Sequence, residues 1–428
     1  MAFKNRTSDV QPLDLSKWRN VPMILMAGGG FLALIGAIAK PQEFAYAWLL
    51  AFMFFLSLCL GSLFLVLVHH LFDAGWSVPI RRFSEHISTL LFPCMFLLWL
   101  PIGFLSKRLY PWMSELADPD HALKAKAPLF TIHGFWITSI VLFAIWFLLT
   151  NRLRFWSLKQ DETGAAEPTH KMRFYSSIGI ILFALTLTMA AVLWVKGMQH
   201  EWFSTMYGVY YFAGSVWMTL ATAYIITMIL DRQRILTPVL HDHQYYFIGS
   251  LLFAFTVFYS YIHLAQYFII WNGNMPEETF WYVIRERGGW WYVGLIIIFG
   301  HFFIPFLSLL RIDVKNTFRL MLPICIWAWL MHFVDVGFNI LPVSLEHRGG
   351  YPLQWLWLHL GCWAFMAGLL TMLFLKKFKA HPPYPIKDPR LIEAMGHYHP
   401  VPTQISGGEL DETDHLRDAP PQFQRGRQ

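Results

Sequence analysis

Charge is scarce in this 428-residue chain: 33 Lys and Arg with 27 Asp and Glu make up 14 % of it, where soluble domains carry roughly 25 %. Cysteine is scarcer, with four residues, Cys59, Cys94, Cys325 and Cys362. Each sits inside an apolar run and no two are spaced CxxC. That excludes a c-type haem attachment motif, a thiolate iron–sulfur pattern and a structural zinc site. The four read instead as small buried apolar residues. No phosphate-binding glycine loop is present either, because Gly28-Gly29-Gly30 lies in the middle of an apolar stretch. So little charge, even at a net +6, excludes both a disordered chain and a nucleic-acid binder.

What the chain has is hydrocarbon: 56 % apolar and 18 % aromatic residues. About 20 apolar residues cross a bilayer core as a helix. Ten such runs are bordered by polar residues. They are Val21–Ala39, Phe44–His69, Ile87–Ser106, Ala127–Thr150, Phe174–Lys196, Tyr207–Leu230, His243–Trp271, Trp290–Leu310, Phe318–Leu341 and Leu353–Leu375. The expected fold is an all-α integral membrane protein of about ten transmembrane helices. The first run follows a twenty-residue polar leader and exceeds a signal h-region, so it reads as an uncleaved anchor.

Basic residues set the expected orientation. With the N-terminus inside, 24 of the 33 Lys and Arg fall on inner segments and nine on outer loops, which puts both termini in the cytoplasm. Gly29, Ala33 and Ala37 recur every four residues and suit a close helix contact. After the seventh run, Pro276 followed by Glu277 and Glu278 predicts a helix start. Phe280, Trp281 and Ile284 then face one side, as in a short helix lying on the outer interface. Past Leu375 the chain becomes proline-rich and mixed in charge, and is expected to lie extended on a partner or in water.

Ionisable residues within a membrane are candidate functional groups by default. His332, Asp335 and Asn339 share one helical stripe of the ninth run. His263, Gln266 and Tyr267 do so on the seventh, and His301 lies near the middle of the eighth. His133 and His359 enter their runs from the outer border. Together they suggest a proton-exchanging or quinol-contacting cavity near the outer face, since quinol oxidation releases two protons for imidazole and carboxylate to accept. The plainer alternative is neutral histidines bonded between helices. His133, His359 and Tyr267 are the candidate quinone contacts. On the inner side, Asp73 and Glu85 are candidate proton-entry groups near Arg81 and Arg82, and the i, i+4 spacing of Arg81 and Glu85 suits an interfacial ion pair. Haem b is not expected, because the runs mostly contribute single histidines at dissimilar depths.

The ten runs resemble the NrfD/polysulfide-reductase family of membrane subunits. Three stretches resemble its smaller member type in bacterial alternative complex III, the ActF type. They are Trp76-Ser77-Val78-Pro79-Ile80-Arg81-Arg82-Phe83-Ser84-Glu85, Asn272-Gly273-Asn274-Met275-Pro276-Glu277-Glu278-Thr279 and Tyr384-Pro385-Ile386-Lys387-Asp388-Pro389-Arg390. The resemblance covers nearly the whole chain. It implies two four-helix bundles (44–196 and 207–341), peripheral helices at 21–43 and 353–375, and cytoplasmic segments at 1–20 and 376–428. It further implies a subunit, without redox centres of its own, of a quinol:cytochrome c oxidoreductase in the bacterial cytoplasmic membrane. Menaquinol or ubiquinol would be the lipid-soluble substrate of that complex. Haem c and iron–sulfur clusters would sit on partner subunits, an iron–sulfur subunit and c-type cytochromes, with a larger NrfD-like membrane subunit and a terminal oxidase as further partners. Competing readings are the membrane anchor of another reductase or hydrogenase, a scaffold, and a secondary transporter. The last would want broken helices at the midplane, and only Pro305 and Pro323 interrupt runs there.

Overall fold

A computed structural model describes residues 20–116, 120–127, 129–236 and 239–395. Most of segment 1–20 and the tail beyond 395 lie outside the described residues. Among the described residues every regular element is helical. Ten helices are long and apolar enough to span a membrane: Val21–Ala39, Pro41–Phe72, Gly75–Phe104, Ile132–Thr163, Glu167–Met198, Tyr207–Arg232, His243–Gly273, Gly289–Leu309, Phe318–Val343 and Leu353–Lys379. The chain is an all-α multi-pass membrane protein, and these helices are spans 1 to 10 below.

Spans 2 to 5 pack together as one four-helix bundle and spans 6 to 9 as another. The bundles meet chiefly through spans 2 and 6, with span 5 against span 6 and span 9 against span 2. Span 2 is therefore buried on nearly all sides along its first half. Spans 1 and 10 pair with each other outside the bundles. Close approach explains the small-residue stripe: a Cβ on Gly29 would lie 2.3 Å from the Phe365 nitrogen and 2.6 Å from the Gly361 oxygen. Ile24, Phe31, Leu34 and Ile38 on the other side of span 1 are exposed, as a lipid-facing surface should be.

Three expected boundaries shift, each for a physical reason. Span 3 starts at Gly75 rather than Ile87 and takes in the charged Arg81–Glu85 turn. Spans 4 and 5 likewise run past their apolar stretches, to Thr163 and back to Glu167, where polar side chains find partners in other segments. The tail up to residue 395 packs against the chain's own bundles rather than extending away from them. Asp388 is 4 % exposed, the Ile386 amide donates to Asp161 at 3.0 Å, and Gln244 on span 7 donates to the Ala394 carbonyl at 2.8 Å. It forms a strap across both bundles, held by charge at Asp388 and by apolar contacts of Tyr384, Leu391 and Met395.

Connections alternate between two faces. The loop face holds the links that follow odd-numbered spans, tied by Gln42 to the Arg108 carbonyl (2.8 Å), Trp202 to the Glu278 carbonyl (3.1 Å) and the Gly289 amide to Gly349 (2.8 Å). The other links and the strap make up the tail face. Helix Pro276–Arg285 lies on the loop face with Glu277 and Glu278 in its first turn, as its sequence predicts. The four cysteines are buried and unpaired.

Candidate functional site

Where the two bundles meet, in the half nearer the loop face, span 9 buries His332, Asp335 and Asn339 to 1, 3 and 6 % exposure. The stripe read from the sequence is real, and it points at span 6. Asp335 Oδ1 accepts hydroxyls from Tyr210 of span 6 and Tyr259 of span 7, the latter at 2.7 Å. The two phenol oxygens are 2.9 Å apart. Asn339 Nδ2 donates to the Tyr210 oxygen (3.0 Å), and the Tyr207 hydroxyl donates to Asn339 Oδ1 (3.2 Å). A buried carboxylate is thus held by neutral donors alone. His332 turns to the other bundle, its Nε2 lying 2.8 Å from Ser57 Oγ of span 2. It does not form an ion pair with Asp335, contrary to what their shared stripe suggests. Shared helical spacing places side chains on one face, but the neighbours offered by other spans decide the bonds.

His301 joins the group through a distortion. Residues Ile298–Phe303 form a π-helical turn, a feature found frequently at functional sites. This turn inserts the imidazole between Trp217 and Tyr259, with centroids at 3.9 and 3.8 Å and interplanar angles of 23 and 20°. Gly300 lets the turn pack closely on span 9, since a Cβ there would lie 2.4 Å from Met331 Sδ and would displace that side chain. Both His301 nitrogens and His332 Nδ1 are buried without a hydrogen-bond partner. A cavity of about 10 Å³ borders His332, Asp335, Tyr207, Tyr210 and Asn339, room for about one water. His263 lies behind, its ring 5.6 Å from that of Tyr210 and 6.0 Å from that of Tyr259.

Donor atoms of His301, His332 and Asp335 fall within 4.8 Å of one another. Asp335 Oδ1 already accepts from two phenols. With a water-sized cavity beside it, the arrangement is chemically able to exchange a proton through a water.

The remaining candidates do not converge on this cluster. His133 is exposed on span 4. Tyr267 packs edge-on against Tyr282 at 5.0 Å, and His359 Nδ1 lies 3.3 Å from the Tyr351 hydroxyl. A larger cavity of about 350 Å³ near the tail face, lined by Phe64, Phe72, Trp76 and Phe255, touches none of the candidates.

Asp73 and Glu85 belong to a second polar region on the tail face. Glu85 is buried among Arg81 Nε (3.0 Å), Arg82 (3.2 Å), Arg154 (2.8 Å) and the Ser157 hydroxyl (2.6 Å). The expected solvated ion pair is in fact a dry one, with Arg81 and Arg82 2 and 0 % exposed. Asp161 bonds Arg82, and Asp388 of the strap bonds Arg81. Burial alone would raise the Asp388 carboxyl, but Arg81, His69 and Arg390 outweigh it and hold it well below the usual carboxylate range. Asp73 lies at the edge, half exposed, between Arg173 and Arg390.

Arg285 is a residue that sequence reasoning missed. It is buried, stacks 3.5 Å from the Trp281 ring centroid, and donates to the Phe338 and Asn339 carbonyls at 3.0 and 2.9 Å, at the end of span 9. A cation there suits the helix C-terminus that carries Asn339. Burial pulls the guanidinium down to about 9, so it remains charged at neutral pH. It lies in the loop-face link between spans 7 and 8, where a basic residue gives no local signal. No family model and no curated protein matches the chain.

Proposed function

We propose that this chain is a proton-handling, NrfD-like membrane subunit of a quinol:electron acceptor oxidoreductase of the alternative complex III type. The observation that carries the proton-handling part is the buried Asp335 carboxylate. Neutral phenols and an amide hold it, and a water-sized cavity that also borders His332 lies beside it. Protonating such a carboxylate leaves no cation stranded, and the adjacent imidazoles offer unpartnered nitrogens that can hand the proton on. The wider assignment rests on the resemblance of the ten spans and three stretches. Electrons would pass through haem c and iron–sulfur centres on partner subunits. Menaquinol or ubiquinol would be oxidised within the complex, and this chain would move protons and anchor its neighbours in the bacterial cytoplasmic membrane, both termini inside.

Asp335→Asn tests it, because the amide keeps the shape and removes the titration. The assembled complex should form and lose quinol-driven proton release by about tenfold or more. Unchanged turnover and proton release would sink the proposal. The orientation is tested separately: an impermeant thiol reagent on intact cells should label Asn274→Cys and leave Ser406→Cys unlabelled.

A further inference from the structure

A second buried acid lies on the loop face, outside the cluster just described. Glu43, in the first turn of span 2, is 3 % exposed, and His347, in the link between spans 9 and 10, is 2 % exposed. Glu43 Oε2 lies 2.9 Å from His347 Nε2. Neither carboxylate oxygen and neither ring nitrogen has a further hydrogen-bonding partner. The His347 main chain is fixed by Trp290, whose indole nitrogen donates to its carbonyl at 2.6 Å, and Tyr46 packs edge-on against the imidazole at 5.8 Å.

We propose that Glu43 and His347 form a second proton-exchange site, which passes protons between the protein interior and water at the loop face. Its contrast with Glu85 is the reason. Three guanidiniums and a hydroxyl surround Glu85, so protonating it would strand buried positive charge. Glu43 has one partner, and that partner is an imidazole, a group that can itself take up or give up a proton. The pair gains a proton by becoming neutral acid or imidazolium and returns it without any other bond breaking. Solvent is one residue away, since Glu346 and Arg348 flank His347 and are both exposed. The other titratable groups facing the pair are Tyr46 on span 2, Glu346 and Tyr351 in the link, and His359 on span 10. The last of these is buried, with its Nε2 unpartnered.

The direction of traffic rests on the proton-handling function proposed for Asp335, whereas titration of the pair does not, and one experiment separates them. Infrared pH-difference spectra of the full-length chain in lipid nanodiscs should contain a carboxyl band that Glu43→Gln removes. His347→Gln should shift its midpoint by roughly one pH unit or more, and Glu43→Asp should restore a titrating band. Asp335→Asn should remove a different band. A Glu43→Gln spectrum identical to that of the parent overturns this inference, whatever Asp335 does. Loss of the Glu43 band with a silent Asp335→Asn keeps it and removes the proposed function instead. Should Glu43→Gln not fold, an unshifted midpoint in His347→Gln overturns the inference in its place.

Discussion

Two buried carboxylates, Glu85 and Asp335, sit in one membrane protein at similar burial and in opposite company. Glu85 meets Arg81, Arg82, Arg154 and Ser157, while Asp335 meets Tyr210, Tyr259 and Asn339. Guanidiniums fix a carboxylate in its charged form, because removing either charge leaves the other uncompensated in a medium that cannot solvate it. Phenols and amides donate to a carboxylate and still tolerate its protonation. The first region is therefore built as a clamp, and the second, on the function proposed above, as a place where a proton can come and go. The strap belongs to the clamp. Asp388 and Asp161 bring its carboxylates to three, against the guanidiniums of Arg81, Arg82 and Arg154.

The largest effect should come from breaking the clamp. Glu85→Ala leaves three arginines short of a partner and should cost about 3–5 kcal/mol of stability, read as a lowered melting temperature or loss of folded protein in detergent. A stability within error of the parent would end the distinction between the two regions. Asp388→Asn should cost less, about 1–3 kcal/mol, and expose the strap to limited proteolysis beyond Lys379. The pH dependence of the strap follows from the same carboxyl. Because its folded value is depressed, its contribution is complete above the ordinary carboxylate value of about 4 and is lost only as pH falls below that. Strap cleavage that rises between neutrality and pH 5 would contradict the burial of Asp388 against Arg81.

Smaller effects sharpen the other side. Tyr259→Phe removes one of two phenol donors and should cost about 1 kcal/mol, read as a small drop in melting temperature. Asp335→Asn should change stability least, by under about 1 kcal/mol, although it abolishes titration. If it destabilised the chain as much as Glu85→Ala, Asp335 would be a structural group like its counterpart.

Legibility of the site varied with distance along the chain. His332, Asp335 and Asn339 share a helix, so spacing placed them on one face, and the structure keeps them there. His301 was visible as an intramembrane histidine, but the π turn and the aromatic sandwich depend on Trp217 and Tyr259 from other spans. Tyr210 and Tyr259 read as ordinary aromatic residues in apolar runs, with no local mark of a hydroxyl aimed at a carboxylate. Glu43 and His347 escaped notice because each lies at a run border, where solvation is the ordinary expectation.

Hydropathy is a local, additive property, and a bilayer imposes one length on every crossing. For that reason the sequence alone determined the ten helices, their alternation between two faces, the close contact made by span 1 and the helix beginning at Pro276. Which buried charge meets which is not local. Arg81 and Asp388 are separated by 307 positions, and Ser57 and His332 by 275. A charge in a weakly polar interior is tolerable only beside its partner. Only the tertiary structure, by bringing those partners into contact, decided that one carboxylate is clamped by guanidiniums and the other is held by neutral phenols and an amide.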